Sequence, residues 1–89
     1  MRVLLAESAC RHGYGAGDYL AVIRNPHVRI RSRRGLRGVY ELLGRNDGGN
    51  YLHIVIRIGW IGEEKVTIVF HILRMSDAAR RYYLKRVRR

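Results

Sequence analysis

Apolar and polar positions change their spacing partway along this chain. In the first quarter they recur at helical intervals. Leu4, Leu5 and Ala9 can share one face of a helix over residues 3–12, which Gly13 ends. His12 would stand at its C-terminal end, where the helix dipole favours a cation. A second short helix runs from Gly17 or Asp18 to Arg24, with Tyr19, Leu20, Val22 and Ile23 as its apolar content. Asn25 and Pro26 stop it, because proline disfavours helical geometry at the residue before it. Beyond Pro26 the period falls to two. Residues 27–31 fit an edge strand, followed by a flexible arginine loop through Arg33, Arg34 and Gly35, and residues 36–45 a second strand. Asn46, Asp47, Gly48, Gly49 and Asn50 are strong hairpin-turn chemistry. Over residues 51–59, Leu52, Ile54, Ile56 and Ile58 alternate with Tyr51, His53, Val55 and Arg57. Over residues 65–74, Val66, Ile68, Phe70 and Ile72 alternate with Thr67, Val69, His71 and Leu73. Ser76 then caps a terminal helix that begins Asp77, Ala78, Ala79. Its apolar stripe is Ala79, Tyr82, Tyr83 and Val87, although helical geometry gives adjacent Tyr82 and Tyr83 different environments.

This order predicts an α+β domain over residues 1–89: two N-terminal helices, a three- or four-stranded antiparallel sheet, a C-terminal helix and a basic tail over residues 85–89. The helices are expected to cover the face carrying the Leu52 and Val66 series, leaving the other partly open. A three-residue loop of Ile61, Gly62 and Glu63 would keep both series on one face. It pairs Ile58 with Val66, Arg57 with Thr67, and His53 directly with His71. An odd loop at the earlier turn sends Tyr40 to the core and Glu41 to the histidine face. An even loop does the reverse and buries a carboxylate, so Tyr40 in the core is the expectation.

Composition narrows the partner. The chain has 89 residues, 18 of them Lys or Arg against seven Asp or Glu, for a net charge of +11. Only Lys65 and Lys85 are lysines. Guanidinium groups grip phosphate bidentately and stack on bases, so a polyanion is the natural partner, and RNA above others. A GC-rich genome would account for arginine replacing lysine, but not for the excess of base over acid. The single cysteine, Cys10, cannot form an internal disulfide, and one cysteine with four scattered histidines gives no zinc spacing. Its neighbours Arg11 and His12 can activate a thiolate; a plain surface thiol is the simpler reading. The start has a faint signal-peptide look that Glu7 and Arg11 interrupt, and no apolar run reaches the ~20 residues of a membrane span. A cytoplasmic protein without a cofactor is the expectation.

The seven acids are scattered, so they make no metal-binding cluster. The glycine-rich stretch 11–17 follows a predicted helix rather than a strand, which weakens a nucleotide-loop reading. What remains is the face opposite the core. His53 and His71, placed side by side, would repel when both are charged and hold one proton between them, an acid and a base near neutral pH. The plain alternative is two tolerated surface histidines. Arg57 and Arg74 share the neighbourhood as phosphate clamps, and His12 is a reserve for proton transfer. Arg80, Arg81, Tyr82 and Tyr83 interleave charge and aromatic rings, which suits single-stranded RNA. Against that, one of the two tyrosines is expected in the core, and the tail is a solvated basic end with generic phosphate affinity.

Several short motifs carry a resemblance. Arg11, His12 and Gly13, then Asn25 and Pro26, then Gly44 and Arg45 form its first half. Val69, Phe70, His71 and Ile72, followed by Met75, Ser76, Asp77 and Ala78 and by Arg81 and Tyr82, form its second. Together they resemble small toxins of the BrnT branch of the RelE-like superfamily over nearly the whole chain. The resemblance implies a RelE-like fold and a toxin of a type II toxin–antitoxin pair, held inactive by an acidic antitoxin protein. It implies metal-independent endoribonuclease activity on mRNA, on or off the ribosome. Members usually carry a short N-terminal strand or an aromatic there, and often an arginine where His71 stands. Homodimer and toxin–antitoxin hetero-oligomer both stay open. So do two other readings: a non-catalytic RNA- or ribosome-binding protein, and a subunit whose basic surface docks an acidic protein.

Overall fold

The computed structural model describes residues 2–32 and 35–87. Arg33 and Arg34 of the expected loop, and Arg88 and Arg89 of the tail, lie outside the described residues. Five strands form one sheet in the order β1-β5-β4-β3-β2. They are β1 (Arg2–Leu5), β2 (His27–Arg31), β3 (Val39–Arg45), β4 (Tyr51–Ile61) and β5 (Glu64–Arg74). Helix α1 (Ala16–Arg24) follows β1 and a 3-10 turn (Glu7–Cys10), and α2 (Asp77–Val87) closes the chain. The α+β class therefore holds, but the sheet is mixed, because β1 runs parallel to β5 while the other pairs are antiparallel.

The N-terminus corrects the expected first helix. Residues 2–5 pair Arg2 to Val66 through Leu5 to Val69, and the Ala6 amide extends the ladder to the Val69 carbonyl at 2.9 Å. A segment this short satisfies both periods: Leu4, Leu5 and Ala9 fit a helical face, while Val3 and Leu5 fit one face of a strand. The bare edge of β5 decides between them, since its backbone groups need partners. The Ser8 hydroxyl donates to the Phe70 carbonyl at 2.6 Å, so the 3-10 turn takes over where β1 ends. Cys10, at the end of that turn, is exposed.

One face of the sheet and α1 enclose the main core: Ala9, Tyr19, Val22, Leu42, Leu52, Ile54, Ile56, Val69 and Ile72, with Tyr40 packed against it. The Arg45–Tyr51 pair leaves a five-residue turn, 46–50, so Tyr40 faces the core and Glu41 the opposite side, as expected. A chain of three bonds runs from the start of α1 into that turn, with the Asn46–Asp18 bond as the link between them. Asp18 accepts from the Gly15 amide at 2.8 Å and from Asn46 Nδ2 at 3.0 Å, and the Asn46 side-chain oxygen accepts from the Asn50 amide at 2.9 Å.

The second helix lies elsewhere than expected. The Ser76 hydroxyl caps it by accepting from the Ala79 amide at 3.1 Å, as the sequence indicates. But α2 packs against β2 and β3, on the face opposite α1. Tyr83 is its buried anchor, donating to the Pro26 carbonyl at 2.9 Å, and Tyr82 is 37% exposed.

The β4–β5 register is also corrected. The turn has two residues, Gly62 and Glu63, with Gly62 at φ +61° and Ile61 opposite Glu64. Gly62 takes the first central position, where type II′ geometry wants a glycine. This even loop places Thr67 and Val69 on the core side and turns Val66 and Ile68 away. A bulge at Phe70 then inserts one unpaired residue, so Ile72 comes back to the core opposite Ile54. Every residue of the run 66–70 except Thr67 is apolar, so alternation could not fix the parity there.

Candidate nucleic-acid interface

The corrected register separates the two histidines expected to face each other. His53 lies opposite Leu73, and His71 lies opposite Val55. They share the face away from α1 but sit on a diagonal, with backbones roughly 7–8 Å apart, and are no longer direct cross-strand neighbours. His71 is exposed. Arg57, also exposed on that face, is opposite Val39 and Ile68, farther along the sheet.

His53 has another partner. Its Nε2 is 2.7 Å from Glu41 Oε1, with the two side chains 28% and 19% exposed. An ionised carboxylate only accepts, so Nε2–H donates and the carboxylate orients the ring. The pair follows from β3–β4 pairing: Leu43 is opposite His53, and Glu41 is two residues along the same face. It lies in a pocket of about 310 Å³ bounded by Ile30, Leu43, Ser76, Ala79 and Tyr82, under the start of α2.

A second group of residues meets at the C-terminal end of β5. Because β1 reaches only to Val69, the loop after the 3-10 turn fills the side of residues 70–74. His12, Tyr14, Leu73 and Arg74 line a depression of about 440 Å³ there. Arg74 Nε donates to the Tyr14 hydroxyl at 3.3 Å, and this bond with the phenol oxygen holds the guanidinium pKa above its ordinary value. Arg74 also borders a neighbouring hollow of about 270 Å³ with Tyr51 and Arg80. The Met75 amide donates to the Tyr51 carbonyl at 3.0 Å, which fixes the two hollows side by side. In the second, Arg80 stacks 4.4 Å from the Tyr51 ring centre and Arg45 lies 5.8 Å from it, while Tyr83 meets the same ring edge-on at 6.0 Å.

Two neighbouring hollows that share Arg74 thus make an interrupted track of cations and rings. His12 and Tyr14 lie in one, Tyr51 and Arg80 in the other with Arg45 beside the ring, and Tyr51 is on the sheet face opposite to the Leu52–Arg74 pair. Of the residues singled out from sequence, His12, Arg74 and Arg80 lie on it. His53 and Tyr82 share the pocket beneath α2, where Arg86 stacks 4.7 Å from the Tyr82 ring centre. Arg81 is exposed on α2. Tyr83 supports the Tyr51 ring from within the core and cannot stack on a base. Sequence reasoning missed Tyr14, which has no local signal in its glycine-rich stretch. It also left out Tyr51 and Glu41, although alternation had already placed both on the correct face.

Ion pairs do not consume the positive charge. Among the described residues, arginines form ion pairs at Arg2 with Glu64 (3.3 Å) and Arg24 with Asp47 (2.7 Å). No group of three or more metal-ligating side chains occurs among the described residues. No helix of theirs is long and apolar enough to cross a membrane. Compared with known proteins, the chain matches no family model, no curated protein and no solved structure.

Proposed function

We propose that this protein is the toxin of a type II toxin–antitoxin pair, a RelE-like endoribonuclease that cleaves RNA in the cytoplasm without a metal ion. The observation that carries the reading is Arg74 joining His12 and Tyr14 on one side to Tyr51 and Arg80 on the other. Cations alternating with rings match a single strand, whose phosphates need charge and whose bases need flat surfaces. The N-terminal strand β1 adds support, since members of the resembling family usually carry a strand or an aromatic residue there.

The chemistry needs three groups. A base removes the proton of a ribose 2′-hydroxyl, and the freed oxygen attacks the adjacent phosphorus. The bond to the 5′-oxygen breaks as an acid protonates that leaving oxygen, giving a 2′,3′-cyclic phosphate and a 5′-hydroxyl. His12 serves as the base, the Tyr14 phenol as the acid, and Arg74 stabilises the added charge on phosphorus. The Tyr14 bond holds Arg74 in place, and Arg80 and Arg45 receive flanking phosphates. An acidic antitoxin covering this track would silence the protein by occupying the sites of the phosphates.

Purified protein incubated with RNA, with and without EDTA and with and without ribosomes, tests this. Cleavage that survives EDTA and yields cyclic-phosphate ends is the expected result. Replacing His12 or Arg74 by alanine should lower the rate about 100-fold or more while the unfolding midpoint stays near that of the parent. Cleavage abolished by EDTA overturns the mechanism. RNA bound tightly but never cut makes the protein a non-catalytic RNA-binding module.

A further inference from the structure

The pocket under α2 lies off the track just described, and the chemistry above leaves it unused. We infer that it is a base-recognition pocket that takes one guanine of the RNA, which assigns Glu41, His53 and Ser76 to specificity. This rests on the reading of the protein as one that acts on RNA.

Size comes first. At about 310 Å³ the pocket is at the lower end of the ~300–1,000 Å³ that small-molecule sites span, enough for one base and too little for a stretch of strand. Its walls are apolar at Ile30 and Leu43, and the partly exposed Tyr82 ring stands at the rim. A splayed-out base stacks on an aromatic face such as the Tyr82 ring, and the aliphatic walls give it an apolar lining. Arg86, stacked on Tyr82, brings positive charge to the rim for the phosphate that follows the base.

The polar groups select the base. Glu41 gives one oxygen to His53 at 2.7 Å, and a carboxylate has about four acceptor sites, so most remain for a ligand. Ser76 Oγ accepts from the Ala79 amide at 3.1 Å, leaving its own hydrogen to donate. The pocket thus presents strong acceptors and one donor. The Watson–Crick edge of guanine is the complement, with adjacent N1–H and N2–H donors and the O6 acceptor beside them. Adenine and cytosine each turn a ring nitrogen acceptor toward the carboxylate, and uracil places its one N–H between two carbonyls. Each would leave a lone pair facing negative charge in a partly desolvated site, which is costly. His53 orients the carboxylate through its 2.7 Å bond to one oxygen, leaving the other turned to the pocket.

The test titrates 5′-GMP, AMP, CMP and UMP into the full chain and follows the side-chain NMR signals of His53 and Tyr82. GMP should saturate these signals and bind about tenfold or more tightly than the other three. Glu41→Gln should reduce GMP to the level of AMP. Ser76→Asp, which keeps the helix cap but loses the donor, should do the same, and it answers the question if the Glu41 variant does not fold. Equal responses to all four nucleotides, or GMP binding indifferent to both substitutions, overturns the pocket. The two readings fail separately. RNA cut or bound with no guanine preference removes the pocket alone, whereas guanine-selective binding in a protein that ignores RNA removes the function alone.

Discussion

Tyr19 illustrates how a single side chain ties stability to pH. It is buried in the core at 7% exposure, and burial raises its pKa above the ordinary value of 10.0, partly opposed by its hydrogen bond with Thr67. The folded state thus holds the phenol proton more tightly than the unfolded chain. Stability from this group is complete below about pH 10 and is lost as pH rises toward the folded pKa. Tyr19→Phe should cost about 0.5–1.5 kcal/mol at neutral pH through the lost hydrogen bond. It should also lessen the alkaline decline by up to about 1.4 kcal/mol per pH unit just above pH 10. Urea unfolding of both proteins between pH 7 and pH 11 measures the difference; parallel curves would mean that Tyr19 titrates in the fold as it does in the open chain.

At the scale of elements, the distance between α1 and the sheet is set where Gly44 lies under Val22. A Cβ built on Gly44 would be 2.7 Å from Val22 Cγ1 and 3.0 Å from the His27 Cβ, so the helix sits where only glycine permits. Gly44→Ala should destabilise the protein by about 1–3 kcal/mol, the usual cost of overpacking. In a Val22→Ala background the same change should cost clearly less, because the colliding methyl is gone, and a double-mutant cycle of unfolding free energies reads that coupling. Additive effects would show that α1 shifts to make room. The same helix is held to the 46–50 turn through Asp18 and Asn46, so its displacement would be felt at the start of β4, next to Tyr51.

The whole molecule carries +11 on a fold whose radius of gyration is 12.7 Å. Seven arginines lie between positions 24 and 45, counting both ends. Association with RNA should therefore depend steeply on salt, because each neutralised phosphate releases counterions. If six to ten phosphates are engaged, affinity should fall by about 10³–10⁵ between 50 and 200 mM salt. Filter binding or fluorescence anisotropy across that range gives the slope, and Arg80→Ala should lower it by roughly one unit without changing base preference. An affinity indifferent to salt would instead identify a protein partner with an apolar interface. Residues 85–87, expected in a solvated basic tail, belong to α2, which continues to Val87.

The sequence by itself determined the parts of this protein that one side chain or one turn controls. Pro26 ended α1, Ser76 started α2, and the 46–50 turn joined β3 to β4 in a register that sent Tyr40 inward and Glu41 outward. Alternation over residues 51–58 named the buried face because polar and apolar residues there are cleanly separated. Tertiary structure decided what those signals left degenerate. Residues 2–5 fit two periods, and only the bare edge of β5 made them a strand. Over residues 66–70 of β5 every residue but Thr67 is apolar, so the parity there was free, and a bulge at Phe70 let Val69 and Ile72 both reach the core. The two-residue turn and the bulge each moved β5 by one residue against β4, which together took His71 off His53 and left His53 to Glu41. The track of His12, Tyr14, Arg74, Tyr51 and Arg80 draws on three distant stretches of chain, and no local pattern encodes which residues meet when a sheet edge and a loop close on one another.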